Sequence, residues 1–93
     1  MPTFYSGAKV NIFATPWEIE KLRLFSDEAL AAFPEGLNDV PGLVITSAKT
    51  GWWTCLITVN GAAILVDVDE VAMELTGEPD DDDTVTVAKV LLV

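Results

Sequence analysis

The chain contains no histidine, a single cysteine and only five lysine and arginine residues among 93. Each shortage removes a class of chemistry. Without histidine there is no side chain that ordinarily titrates near neutral pH and no imidazole to ligate a metal. Cys55 alone forms no internal disulfide, and a zinc site lacks the further nitrogen and sulfur ligands it needs. Ser6, Ser26 and Ser47 have no evident base partner, and the six glycines are dispersed rather than gathered into a phosphate-binding loop. The cations Lys9, Lys21, Arg23, Lys49 and Lys89 are scattered, so no basic patch awaits nucleic acid. No run approaches the roughly 18–20 apolar residues of a membrane span, and no positively charged stretch precedes an apolar one as in a secretion signal. The shortages point away from hydrolases, nucleotide-binding enzymes and direct DNA or RNA binders. They predict a non-enzymatic domain without a cofactor or membrane association, located in the cytoplasm.

Carboxylates are what the chain has in excess. The formal net charge is −10. Residues 1–66 hold six acidic and four basic side chains, a net −2, whereas residues 67–83 hold nine acidic and none basic. Residues 84–93 add only Lys89. Such a field repels nucleic acid and anionic membranes and attracts basic protein surfaces. A hydrophobic content of 51% with 22% charged residues still matches a folded chain rather than a disordered one. The length suits a single domain over residues 1–93.

The local patterns predict an α+β fold in the order β-α-β-β-β-α-β. This is a mainly antiparallel sheet of about five strands with one long helix packed on one face. Residues 1–7 read as a loose lead-in. Residues 8–14 alternate Ala8, Val10, Ile12 and Ala14 against Lys9, Asn11 and Phe13, as a half-buried strand does. Thr15 with Glu18 three residues on, and Pro16 at the first helical position, mark a helix start. Apolar residues at Ile19, Leu22, Phe25, Ala29, Leu30 and Phe33 extend that helix over 16–33, with Trp17 as a packing residue, until Pro34 and Gly36 stop it.

Strands follow over 43–48, 52–59 and 62–68. Asn60-Gly61 is a type I′ hairpin signal. A two-residue turn there pairs Val59 with Ala62, Ile57 with Ile64, Cys55 with Val66 and Trp53 with Val68, an entirely apolar face on which Cys55 is a small buried hydrophobe. The other face pairs Thr58 with Ala63, Leu56 with Leu65, Thr54 with Asp67 and Trp52 with Asp69. Residues 69–76 read as a short helix ended by Gly77 and Pro79. Residues 80–83 read as a loop and 84–93 as a final strand.

On this frame Asp67, Asp69, Glu70, Glu74, Asp80, Asp81, Asp82 and Asp83 form a candidate partner-binding surface, with Trp52 at its edge as an apolar anchor. An indole beside carboxylates receives Lys or Arg through cation–π contact and charge pairing. An extended Asp run spaces side chains by about 3.3 Å, close to the ~3.4 Å between phosphates along one DNA strand. Three functions are consistent with the pattern. The first is a protein-binding module that inhibits or adapts a basic, nucleic-acid-handling partner. The second is a structural protein that forms a homodimer or larger assembly through the apolar residues 90–93 (Val90, Leu91, Leu92, Val93). The third is a carboxylate site for calcium or magnesium within residues 67–83, enzymatic if Asp67, Asp69 and Glu70 gain a further carboxylate to hold magnesium, although Asp80 to Asp83 lack the spacing of an EF-hand loop. The plainest account of the same acids is a solvated face. In general character the chain is similar to small acidic inhibitors encoded by phages and mobile elements, such as DNA mimics, anti-restriction and anti-CRISPR proteins. That likeness implies a viral inhibitor acting in a host cytoplasm and assigns no residues.

Overall fold

Three long strands rich in β-branched and apolar residues dominate the chain. They are β3 (Val40–Lys49), β4 (Trp52–Val59) and β5 (Ala62–Asp69), flanked by β1 (Lys9–Ile12), β2 (Ile19–Leu24) and β6 (Met73–Leu75). Among the described residues one α-helix, α1 (Asp82–Leu91), follows, and two single turns of 3₁₀ helix interrupt the strands at Pro16–Glu18 and Glu70–Ala72. The computed structural model describes residues 4–24, 33, 35–59 and 61–92. Every strand pair is antiparallel, and the sheet order is β2-β5-β4-β3-β1-β6. The α+β class, the antiparallel sheet and a helix packed against one face are as the sequence predicts. The segments that build them are partly different.

The β4–β5 hairpin has the predicted register throughout, from Val59 opposite Ala62 to Trp52 opposite Asp69. Gly61 takes φ +81°, the positive value that a type I′ turn requires. Asn60 lies outside the described residues. The β3–β4 turn likewise places Gly51 at φ +80°.

The linear strand order conceals a closed ring. β2 continues β1 beyond the first 3₁₀ turn, and β6 continues β5 beyond the second. These two paths pair with each other: Ile12 lies opposite Met73, the Phe13 N–H donates to the Ala72 carbonyl at 2.8 Å, and Ile19 lies opposite Val68. Since β1 also pairs β3, β3 pairs β4 and β4 pairs β5, the pairings return to their start. The result is a small barrel made from two bent strand paths and the two strands of the β3–β4 hairpin, which leaves little of its long central strands unpaired.

Inside the ring sit Val10, Ile12, Val44, Cys55, Ile57, Ile64, Val66 and Val68, closed off by Phe4, Leu37, Ala72 and Met73. Burying an isoleucine such as Ile57 or Ile64 stabilises the fold by about 2–3 kcal/mol. The outer face of β3, β4 and β5 has its own apolar group, Leu43, Ile45, Leu56 and Leu65, covered by Val85 and Ala88 of α1 and by Leu92 just after it. Strand β5 is buried along most of its length because it has cover on both sides.

Four expectations are corrected. First, the described part of the helix predicted over 16–33 does not form: Pro16–Glu18 is a single 3₁₀ turn, and Ile19–Leu24 is strand β2. The Thr15 amide and hydroxyl both donate to the Glu18 carboxylate, so the start signal is real but closes one turn. The edge of β5 offers a row of backbone partners that outweighs local helical preference. Residues 25–32 and 34 lie outside the described residues, while Phe33 packs against the inner core.

Second, residues 69–76 form the second 3₁₀ turn and β6 rather than a helix. Third, residues 84–92 are not a strand; through Leu91 they belong to α1. Their β-branched residues favour a strand by propensity, but Val85, Ala88 and Leu92 recur at i, i+3 and i+7 and match the uncovered outer face of the sheet. The strand expected to pair with a second copy through residues 90–93 is helical at Val90 and Leu91, and Val93 lies outside the described residues. Fourth, the lead-in is tied down from residue 4 onward: Phe4 is buried and the Gly7 N–H donates to the Val44 carbonyl at 2.8 Å.

Candidate functional site

The structure divides the predicted acidic surface into a buried member, two groups and a lone Glu74 on β6. Asp67 is only 5% exposed, and its Oδ1 accepts the Thr54 hydroxyl at 2.6 Å. A carboxylate held inside in this way serves the fold and is withdrawn from any partner. Its place in the docking surface is corrected accordingly.

The first group lies where the second 3₁₀ turn meets the β3–β4 turn, joined by the Glu70 N–H donating to the Gly51 carbonyl at 2.9 Å. Asp69 caps the 3₁₀ turn by accepting the Val71 N–H at 3.2 Å. Glu70 Oε2 accepts the Trp53 indole N–H at 3.3 Å. Trp53 itself packs against the inner core, with its ring 6.4 Å from that of Phe4. Trp52, expected as a free anchor, is half-buried and already has a cation: Lys49 Nζ stands 5.0 Å from its ring centroid. The cation–π contact foreseen for a partner is made within the chain.

The second group surrounds the N-terminus of α1. Asp81 is the cap residue, and its carboxylate accepts the Thr84 N–H at 3.0 Å and the Thr84 hydroxyl at 2.7 Å. These hydrogen bonds hold the Asp81 carboxyl below its usual pKa. Asp82 and Asp83 follow in the first turn, where the helix dipole favours negative charge. Asp80 accepts the Tyr5 hydroxyl at 3.1 Å and pushes the Tyr5 pKa up. The Asp81 N–H donates to the Gly7 carbonyl at 3.1 Å and ties the segment to the barrel. Asp80 stays outside the helix as the expected loop has it, whereas Asp81 caps α1 and Asp82 and Asp83 form its first turn. Glu74 is exposed on β6 opposite Asn11, apart from this group.

Sequence reasoning named Val90 and Leu91 only as part of an assembly strand, and missed Val87 and the helical face the three share. Val87, Val90 and Leu91 are each more than half exposed, on the side away from Val85, Ala88 and Leu92. At about 100° per residue, Asp83, Val87 and Val90 fall within about 60° of one another around the helix axis. The signal was present as a second apolar set at i, i+3 and i+4, hidden because the segment read as a strand. Beside the helix an open groove of about 360 Å³ runs between Lys9, Leu43, Leu56, Glu78, Asp81 and Thr84.

Cys55 is buried as expected, and burial followed by the nearby Asp67 charge pushes its thiol pKa up to about 12. A thiol held protonated is a poor nucleophile and a poor metal ligand. Among the described residues no three acidic or sulfur side chains converge on a point that could hold a metal ion. Asp67, Asp69 and Glu70, the expected ligand group, instead engage Thr54, the Val71 amide and the Trp53 indole. No helix among the described residues is long and apolar enough to cross a membrane. Comparison with protein-family models, curated proteins and solved structures finds no match.

Proposed function

We propose that this chain is a small acidic protein-binding module, not an enzyme, that docks on a basic partner through the outward side of α1. The observation that carries the reading is the helix itself. It presents solvent-facing Asp82 and Asp83 at one end and exposed Val87, Val90 and Leu91 along the rest. Apolar residues in the middle of a patch supply most of the binding energy, while charges at its rim supply steering and selectivity. With a net charge of −10, the partner that gains most is a basic one, and nucleic-acid-handling proteins present such surfaces. An inhibitor or adaptor role, of the kind mobile elements encode, follows from blocking that surface.

Affinity capture from a host lysate at two salt concentrations tests the reading, using the wild-type chain, Asp82→Lys with Asp83→Lys, and Val90→Asp. The expected result is a basic protein retained at 0.1 M salt and released toward 1 M, as the Debye length falls from about 10 Å to about 3 Å. Both sets of substitutions reduce the capture while the chain remains folded, because all three side chains face solvent. Equal capture by all variants at both salt concentrations refutes docking through α1.

A further inference from the structure

The two 3₁₀ turns that bend the barrel strands lie against each other. Their ends are joined on one side by the Phe13 N–H to the Ala72 carbonyl and on the other by the pairing of Ile19 with Val68. The middle residues of these facing turns are Trp17 and Val71, which are 84% and 78% exposed, and Phe13 beside them is 43% exposed. Three apolar side chains are therefore placed outward at one junction. One is a tryptophan, the residue most enriched at the centres of interfaces.

The fold itself gains little from Trp17, which the sequence pattern would have buried. The turn that carries it is nonetheless held firmly. Pro16 precedes it, and the Thr15 amide and hydroxyl both bond Glu18 behind it. Asp69 caps the facing turn. A side chain presented on fixed backbone loses less entropy when it binds.

The rim is acidic. Glu18, Asp69 and Glu70 flank the junction, and the bonds described for each use one carboxylate oxygen, leaving the other able to accept. A second copy of the chain would bring carboxylates against carboxylates at a net charge of −10, and a nucleic acid would bring phosphates. The complementary occupant carries apolar groups and a cation. Arginine fits better than lysine because its planar guanidinium stacks on an indole while its N–H groups reach carboxylates.

We infer that the junction of the two turns is a docking point for an arginine-bearing apolar segment of another protein, with the guanidinium stacked on Trp17 and paired to the Glu18 and Glu70 carboxylates. This surface stands apart from α1 and does not depend on its role.

The test is titration of the ¹⁵N-labelled full chain with an acetylated and amidated Arg-Leu-Arg peptide, following the three indole N–H resonances, with Ser-Leu-Ser as the uncharged control. The expected result is a saturable shift of the Trp17 indole and of amides 13, 18 and 69–71, with Arg-Leu-Arg only. The Trp53 indole, whose N–H donates to Glu70, shifts with it, whereas the Trp52 indole, engaged with Lys49, shifts less. Trp17→Ala removes exposed surface alone and weakens the peptide about 10-fold, whereas Asp83→Lys changes it less than about 2-fold. Glu18→Gln and Glu70→Gln keep their internal hydrogen-bond acceptors and weaken it a few-fold. Absence of a saturable shift at Trp17, equal shifts over α1 and the turns, or equal response to Ser-Leu-Ser would overturn the inference. The Asp83→Lys arm separates its failure from that of the α1 reading.

Discussion

Replacing Thr54 with valine deletes one hydroxyl and leaves the shape of the side chain nearly unchanged. In this structure that hydroxyl is fully buried and donates to Asp67 Oδ1 at 2.6 Å, and Asp67 is itself buried. Hydrogen bonds to charged groups contribute about 1.5–3 kcal/mol, and a buried carboxylate deprived of one partner cannot recover it from water. Asp67 has further interactions, so the loss is partial rather than complete. The expected destabilisation is about 2 kcal/mol, out of a total of about 5–14 kcal/mol for a chain of this length. In urea, with a slope near 1 kcal/mol per molar, the midpoint falls by about 2 M at unchanged slope. The Tm falls by about 10 °C. Thr86→Val is the control, because Thr86 is exposed on α1 and bonds only the Asp82 carbonyl there; it should stay within about 0.5 kcal/mol of wild type. A Thr54→Val midpoint indistinguishable from that of Thr86→Val would show that Asp67 is hydrated and return it to the surface.

Three further outcomes follow from the same structure. Gly36→Ala disrupts the chain far more than Gly77→Ala: both have positive φ, but a Cβ on Gly36 would lie 2.3 Å from the Ala14 carbonyl oxygen, while Gly77 faces open space. The Gly77 change costs about 1 kcal/mol by urea titration, and equal costs would contradict the packing of residues 36–37 under the first turn. Between pH 9.0 and about 12 the unfolded chain releases the Cys55 proton while the folded chain retains it, so stability falls as pH rises through that window. Cys55→Ala reduces the slope by up to about 1.4 kcal/mol per pH unit relative to wild type, and identical slopes would show an accessible thiol. Asp81 works in the opposite sense: its lowered pKa contributes stability above the ordinary carboxylate range that is lost on acidification through the folded value. Asp81→Asn, which retains a capping oxygen, flattens the acid limb of a circular-dichroism melt series while keeping α1 at neutral pH, and an unchanged limb would remove the assigned role.

The hairpin of β4 and β5 was legible because two independent signals agreed. Asn60-Gly61 demands a tight turn, and a one-residue slip would put Thr54 or Asp67 opposite the apolar set that Cys55, Ile57, Ile64 and Val66 complete. The burial of Cys55 follows from that register alone. The acidic character of residues 67–83 was equally plain, but charge is a property of a segment and exposure is a property of a surface. Only packing withdrew Asp67, gave Asp81 to a helix cap and gave Glu70 to the Trp53 indole.

By itself the sequence determined the composition class, the antiparallel hairpin with its register and the sign of the charge, because these depend on turn chemistry and on the two-residue period of a strand. Tertiary structure decided the rest, for one physical reason. Residues 19–24 and 84–91 are each apolar enough to serve as helix or strand, and their state was chosen by the partners the barrel offered. The open edge of β5 drew Ile19–Leu24 into the ring, and the bare outer face at Leu43, Ile45 and Leu65 drew Asp82–Leu91 onto it as a helix. The same choices turned Trp17, expected to pack inside, out to solvent and left Val87, Val90 and Leu91 uncovered. Which apolar side chains remain available to a partner is settled only after the core has taken those it can bury.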